Sequence, residues 1–562
     1  MIAEGFPRSP ATGQYRDIQD MCHLHGKMDS EFFFATASEI FLYNKVSKAI
    51  KNHSIEGIRG GSRISSIAVH EYGDNKKSFF LGTTFNGIYY KTNTTYSAIN
   101  FGLPREIYSW NEYFYYEIKK IFVVNNLVCC IVDRHPGFYF YNGSEWKTHS
   151  IDFFFDGFFR KGSECFLYNT NALYVLENPG AGVLRIKEIK KNPPAQPLIN
   201  LQGIILHHNP QRPPYPKKKE FPGVLHTNII SVFVNLDFVT FSQMDIVVDL
   251  LRRKLINGVV INFKDDTGNL IYGSRLPEAV KYKSGMVHPK LHTFLKKIKP
   301  HSPYVIARLV VFKDYRLHMY NNGQYAIWDK EKNTPWRINK IEYWVDPYST
   351  ETVAYNVAVA KELQDRKDEF MIKELQFDYI RLPSDRSLYR ADFRFKKPDW
   401  QRIDILEFFL YTLNSKISIP YSVDIYGYNA IYRMGNVIGQ DIETISKYAP
   451  VICPMFYPSH FGRVYLANRN NKPQEFNVFE FGVSQANRIT FSGTIIRPYL
   501  QAFSYRVPQY DHIYILNQIN GALEGGSSGI SFWNPSGNYT KLDEFFAEIV
   551  KKLDFSKLFE KN

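Results

Sequence analysis

From residue 223 to about 540 one pattern recurs: a short apolar run, a loop, then an amphipathic stretch. The apolar runs are Val224–Ile230, Gly258–Phe263, Tyr304–Val311, Glu374–Tyr379, Ile417–Asp424, Val451–Phe456, Ile496–Ala502 and Gly529–Trp533. Amphipathic stretches lie at Met244–Leu255, Lys290–Ile298, Val353–Leu363, Ile405–Leu413, Ile513–Leu523 and Leu542–Leu553. Strands that alternate with helices build a parallel sheet, and eight of them predict a closed (β/α)8 TIM barrel rather than a doubly wound sheet. No glycine-rich phosphate loop follows the first strand, so a dinucleotide is not expected, and no other cofactor is implied.

At 562 residues the chain exceeds one ordinary core. Residues 1–190 read differently, as short strands separated by turns. Hairpin-like pairs occur at Phe32–Ala35 with Ile40–Tyr43, Phe79–Thr83 with Gly87–Tyr90, Leu127–Val132 with Gly137–Tyr141, and Cys165–Tyr168 with Ala172–Leu176. Their spacing of roughly 40–50 residues suits propeller blades, so the expectation is an all-β, propeller-like domain, with an irregular β-sandwich as the alternative. Residues 191–222 carry Asn192-Pro193-Pro194-Ala195-Gln196-Pro197 and Gln211-Arg212-Pro213-Pro214-Tyr215-Pro216. Prolines at that density exclude helix and mark a linker, leaving 223–562 as the barrel domain.

The net charge of +14 would suit a polyanion. The basic residues are nevertheless scattered, and the densest run, Lys217-Lys218-Lys219, falls in the linker without a nucleic-acid motif, so nucleic acid is not expected as a partner. Aromatic residues make up 16% of the chain, which reflects compositional bias or a sugar-stacking surface. Five cysteines, an odd number with two adjacent, argue against a disulfide framework. No metal-ligand spacing is visible. No apolar run is long enough to cross a bilayer, and Met1-Ile2-Ala3-Glu4-Gly5-Phe6-Pro7 lacks signal-peptide character. A cytoplasmic location, or export through a segment outside this sequence, is expected.

In a TIM barrel the active site forms at the C-terminal ends of the strands. In the fourth strand, alternation places Gln376 and Asp378 on the face opposite Leu375, Phe377 and Tyr379, so Asp378 points into the mouth. An ionised carboxylate there needs a partner, and Arg381 just beyond the strand is a candidate; a structural Asp–Arg pair is the alternative. The fifth strand delivers Asp424, either to the same mouth or as a loop cap. Carboxylates on neighbouring strands can approach to about 5 Å, which suits retention, or to about 6.5–9.5 Å, which suits inversion. Arg308 on the third strand needs a counter-charge, either Asp378 or an anionic substrate group. Gln501 on the seventh strand adds a polar group, while Tyr457 and Trp533 could floor a sugar subsite or belong to the core.

Several segments in order resemble the bacterial family described as "putative glycosyl hydrolase domain". They are Gly258–Gly268, Val305–Asp314, Trp344-Val345-Asp346-Pro347-Tyr348, and above all Gln376-Phe377-Asp378-Tyr379-Ile380-Arg381-Leu382-Pro383-Ser384-Asp385. The resemblance covers about residues 223–540 and implies a TIM barrel acting on polysaccharide. Similarity to α-amylase-like barrels implies that Asp378 is the nucleophile and Asp424 the acid/base, although those barrels carry glutamate at the second place. Chitinase-like barrels have an Asp-x-Glu pair before Tyr-Pro; Ile380 and Arg381 before Leu382-Pro383 lack that acid.

The sequence therefore predicts a glycosidase that hydrolyses O-glycosidic bonds of a polysaccharide or oligosaccharide. Its catalytic pair is Asp378 and Asp424, with Arg308, Gln376, Arg381, Tyr457, Gln501 and Trp533 around the substrate. The alternatives are a non-catalytic glycan- or envelope-binding protein on a degenerate barrel, and a metal-dependent hydrolase using Asp265, Asp266 and Asp314.

Overall fold

The structure is a computed structural model. It describes residues 228–555 apart from 339–340, 434 and 468, together with most of 11–207. The longest stretches outside the described residues are 1–10, 24–30, 54–62, 192–197 and 208–227, so both proline runs and the lysine triplet lie outside them. The chain divides into two compact units, one chiefly Gly13–Pro216 and the other chiefly Lys217–Ile431 with Val437–Asn562.

The first unit is all antiparallel. Four sheets each hold four strands in sequence order. They span Asp20–His23 to Ile50–His53, Ile64–Tyr72 to Ser97–Ala98, Ile118–Val124 to Trp146–His149, and Gly157–Lys161 to Val183–Lys191. In every one of these sheets the hairpin read from sequence is the central strand pair.

The second unit contains a closed parallel barrel of eight strands. They are β1 (Ile229–Val234), β2 (Gly258–Lys264), β3 (Tyr304–Val310), β4 (Ile372–Asp378), β5 (Tyr421–Tyr426), β6 (Val451–Met455), β7 in two segments (Ile495–Ile496 and Tyr499–Gln501) and β8 (Gly529–Trp533). Pairing of β5 with β6 and of β8 with β1 closes the ring. The helices between strands are α1 (Phe241–Arg252), α2 (Pro289–Ile298), α3 (Thr350–Asp365), α4 (Arg402–Lys416), α5 (Ile442–Tyr448), α6 (Gln474–Ile489) and α7 (His512–Glu524), with α8 (Thr540–Ile549) after β8. Local chemistry sets their starts: Thr240 and Gln243 form a reciprocal capping box on α1, Ser349 caps α3 and Asp511 caps α7.

Parallel strands covered on both faces read as nearly unbroken apolar runs, and β1 and β3 are buried throughout. The outward side chains pack on helices, as Phe377 does against Phe409 of α4. Only Gly529–Trp533 keeps the bounds expected from sequence; the first, fifth and seventh strands differ in the following ways. The first strand begins at Ile229, and residues 224–227 lie outside the described set. The fifth begins at Tyr421, just after Pro420, which can donate no ladder hydrogen bond. The seventh is broken around Pro498 for the same reason.

Candidate active site

Alternation along each strand sends one set of side chains into the barrel, where polar groups must find one another because water is excluded. Low in the barrel, Glu374 of β4 accepts from both guanidinium nitrogens of Arg497, with the Nη1 to Oε2 contact at 3.1 Å, and from the Tyr304 hydroxyl at 3.2 Å. Above it, Gln376 accepts from the Tyr499 hydroxyl at 2.6 Å and reaches the Cys453 sulfur at 3.5 Å. Both contacts hold the strands of the barrel interior to one another, although Arg497 Nε is buried without a partner.

Asp378 ends β4 one repeat higher. The register pairs Phe377 with Val423 and so sets Asp378 beside Asp424 of the adjacent strand. Arg308 of β3 reaches both. Its Nε donates to Asp378 Oδ2 at 3.2 Å, Nη2 donates to the same oxygen, and Nε lies 3.9 Å from Asp424 Oδ2. Arg308 Nη1 donates to Asn262 Oδ1 at 2.6 Å. Because one nitrogen serves both carboxylates, their Oδ2 atoms lie within about 7 Å of each other. The guanidinium also stacks 5.1 Å from the Trp533 ring and 5.4 Å from Phe233, which themselves stack at 3.9 Å.

The two carboxylates differ. Asp378 is 6% exposed, and its second oxygen accepts the Tyr379 amide at 2.6 Å. Asp424 is 1% exposed, and its Oδ1 is buried without a hydrogen-bond partner. Burial first, and the charge of Asp378 second, push the Asp424 carboxyl well above the usual carboxylate range. A buried acid that keeps its proton beside a carboxylate paired with arginine is the arrangement needed for proton transfer to a leaving group.

Tyr379, immediately after Asp378, has φ +55°. A bulky residue in the left-handed region is strained, and such strain gathers where surrounding structure holds a functional group in place. Its amide is the one bonded to Asp378, and its carbonyl accepts from Phe312 at 3.3 Å.

The remaining sequence candidates fall in three places. Trp533 and Tyr457 lie by the carboxylate pair: Trp533 stacks against Arg308, while Tyr457, almost wholly buried, is raised in pKa chiefly by burial and then by the Asp424 charge. Gln501 is drawn away, its side chain bonding Ser459 N, Phe503 O and Tyr505 O, so it shapes loops instead of facing the mouth. Arg381 does not pair with Asp378; Arg308 occupies that role, and Arg381 packs among aromatic rings. The sequence assigns no site role to Asn262, Tyr379, Glu374 or Arg497, although the alternation that singles out Gln376 and Asp378 also turns Glu374 inward.

The three aspartates of the metal alternative serve separate ends. Asp265 closes its own turn through Thr267 and Asn269, Asp266 pairs with Lys313, and Asp314 pairs with buried Lys264. Gly268, at φ +87°, is needed there, because a Cβ would lie 2.0 Å from Asp314 Oδ1. Among the described residues no group of three or more His, Cys, Asp or Glu is placed to hold a metal ion, and no helix is long and apolar enough to cross a membrane.

Residues 231–539, more than half of the chain, match the family described as "Putative glycosyl hydrolase domain". No curated protein matches. Among solved structures, a hypothetical protein from Ruminiclostridium thermocellum is 26% identical, covering 35% of this chain and 96% of its own, with a TM-score of 0.30. The PgaB (BpsB) glycoside hydrolase domain from Bordetella bronchiseptica is 11% identical over 58% of this chain and 99% of its own, with a TM-score of 0.41. Alpha-L-fucosidase isoenzyme 2 from Paenibacillus thiaminolyticus is 11% identical over 58% and 49%, with a TM-score of 0.37.

Proposed function

The chain belongs to the "Putative glycosyl hydrolase domain" family, and from that premise we propose that its barrel hydrolyses O-glycosidic bonds of a polysaccharide with Asp378 and Asp424. Asp378 carries the negative charge that Arg308 neutralises and acts toward the anomeric carbon. Asp424 carries the proton and delivers it to the departing glycosidic oxygen. The observation that carries this reading is the single guanidinium shared by two adjacent carboxylates, one of them with a buried, unbonded oxygen. Arg308 would hold Asp378 until positive charge develops on the sugar, and Trp533 and Tyr457 would floor the subsite. A separation of at most about 7 Å lies below the wide end of the inverting range and is compatible with the retaining spacing of about 5 Å.

The N-terminal four-stranded meanders we read as propeller-like blades with an accessory role in binding; their in-order strands support that reading. A second reading of the barrel is a glycan-binding protein without turnover, favoured by the near-complete burial of Asp424. A panel of polysaccharides offered to the wild-type protein and to Asp378→Asn separates the two. Hydrolysis of one glycan by the wild type alone supports the enzyme. Binding of a glycan that neither protein cleaves supports the second reading.

A further inference from the structure

Two arginines near the mouth are almost equally buried, Arg308 at 5% and Arg381 at 6% exposure, yet their charges are handled in opposite ways. Arg308 has two carboxylates. Among the described residues Arg381 has no carboxylate within ion-pair distance and donates one hydrogen bond, from Nη1 to the Leu382 carbonyl at 3.1 Å. Three aromatic rings surround its guanidinium instead, Tyr426 at 4.5 Å, Trp344 at 4.7 Å and Tyr379 at 5.0 Å. Its other N–H groups meet no protein acceptor and are not sealed from solvent.

Aromatic faces compensate part of a desolvated cation but accept few of its hydrogen bonds. A guanidinium that has lost most of its hydration and found no counter-ion is prepared for an anion from outside, since the cost of stripping its water has already been met in folding. The position ties this cation to the proposed chemistry. Tyr379 directly follows Asp378, and Tyr426 lies two residues beyond Asp424 on β5. A second cation, Lys313, stands 5.0 Å from the centre of the Tyr379 ring, although it is partly satisfied by Asp266 at 2.9 Å. The Tyr379 ring, on a strained backbone, thus meets two cations, each 5.0 Å from its centre.

We propose that the caged Arg381 is an anion subsite for the carboxylate of an acidic sugar, so that the polysaccharide taken by this barrel contains uronic acid residues. The planar guanidinium fork matches a carboxylate in two parallel hydrogen bonds, which a lysine could not reproduce. The proposal deepens the glycosidase reading and rests on it for the position of the scissile bond, but the binding preference is measurable without turnover.

The test uses full-length protein carrying Asp378→Asn. Calorimetric titration with tetramers of galacturonate, glucuronate and mannuronate is compared with their carboxyl-reduced, neutral counterparts and with phosphorylated neutral tetramers. At least one uronate is expected to bind at least ten-fold more tightly than its reduced form, with an affinity that falls as salt rises. Adding Arg381→Gln should cut that preference to less than about two-fold, and Arg381→Lys should restore it only in part. If Arg381→Gln does not fold, the uronate preference and its salt dependence in the Asp378→Asn protein alone decide the matter. Equal binding of acidic and reduced glycans, or preference for the phosphorylated tetramers alone, overturns the carboxylate subsite. Hydrolysis of neutral glycans only by the wild type would likewise overturn it while leaving the glycosidase intact; tight uronate binding without cleavage would do the reverse.

Discussion

Two buried arginine–carboxylate contacts lie within one barrel, two repeats apart along β4, and they are built differently. Glu374 and Arg497 are matched one to one, with Tyr304 bonded to the same carboxylate. At the mouth, one arginine is shared between Asp378 and Asp424, and one aspartate oxygen is left unbonded. The lower contact closes its own electrostatics and contributes to a unique packing of the barrel. The upper one contains one more acid than its arginine can neutralise. Surplus acid, more than burial or charge alone, separates the proposed reacting site from the structural pair here.

Four substitutions would break or sharpen that contrast. The largest effect is expected for Asp378→Asn, which leaves shape intact but removes the charge facing the anomeric carbon. Turnover should fall by at least about 10³-fold with little change in the melting temperature, measured by hydrolysis assay and calorimetry. Glu374→Ala should act in the opposite way, leaving Arg497 buried without a counter-charge. Chemical denaturation should show a loss of about 3–5 kcal/mol, with the remaining folded protein active. Arg308→Lys keeps the charge but not the fork, so kcat should drop by about ten-fold while stability changes less than in Glu374→Ala. Equal loss of stability in Arg308→Lys and Glu374→Ala would dissolve the distinction between the two layers.

A fourth substitution concerns Asp346, whose carboxylate accepts the amides of Tyr348 at 3.0 Å and Phe395 at 3.2 Å. Burial pushes its carboxyl up to about 7 from an ordinary 3.8. The folded protein then keeps a proton that the unfolded chain has released. Stability should therefore be highest below pH 3.8 as far as this group is concerned, and should decline by up to about 1.4 kcal/mol per pH unit until pH passes about 7. Asp346→Asn should flatten that slope in denaturant titrations run at several pH values.

Much of this was legible in the chain, for identifiable reasons. Strands buried on both faces announce themselves as apolar runs, which is why β8 was read with its full bounds and why the central hairpin of each N-terminal sheet was found. The outer strands of those sheets, such as Ile50-Lys51-Asn52-His53 with its exposed centre, carry too little apolar signal to be read. Alternation placed Asp378 and Gln376 on one face, and the need of a buried guanidinium for a partner linked Arg308 to Asp378. Partner choice over distance was less legible. Arg381 lies three residues from Asp378 in sequence, yet Arg308, seventy residues away, takes the contact. Nor does sequence reveal that Gln501 turns to the backbone of its own loop, or that Tyr379 adopts a left-handed conformation normally left to glycine. These depend on register and closure, which no local pattern encodes.

The account stands on opposite charge states for two neighbouring aspartates, and carboxyl-carbon NMR of aspartate-labelled protein reads those states directly, without a substrate. A pH titration of the wild type against Asp424→Asn and Asp378→Asn should show, besides Asp346 at about 7, one further carboxyl still protonated well above the ordinary aspartate range. That resonance should be absent in Asp424→Asn, and in Asp378→Asn it should titrate at lower pH, because the repelling neighbour is gone. Two aspartates both ionised at mildly acidic pH, or a high-titrating resonance that disappears with Asp378 and not with Asp424, would contradict it.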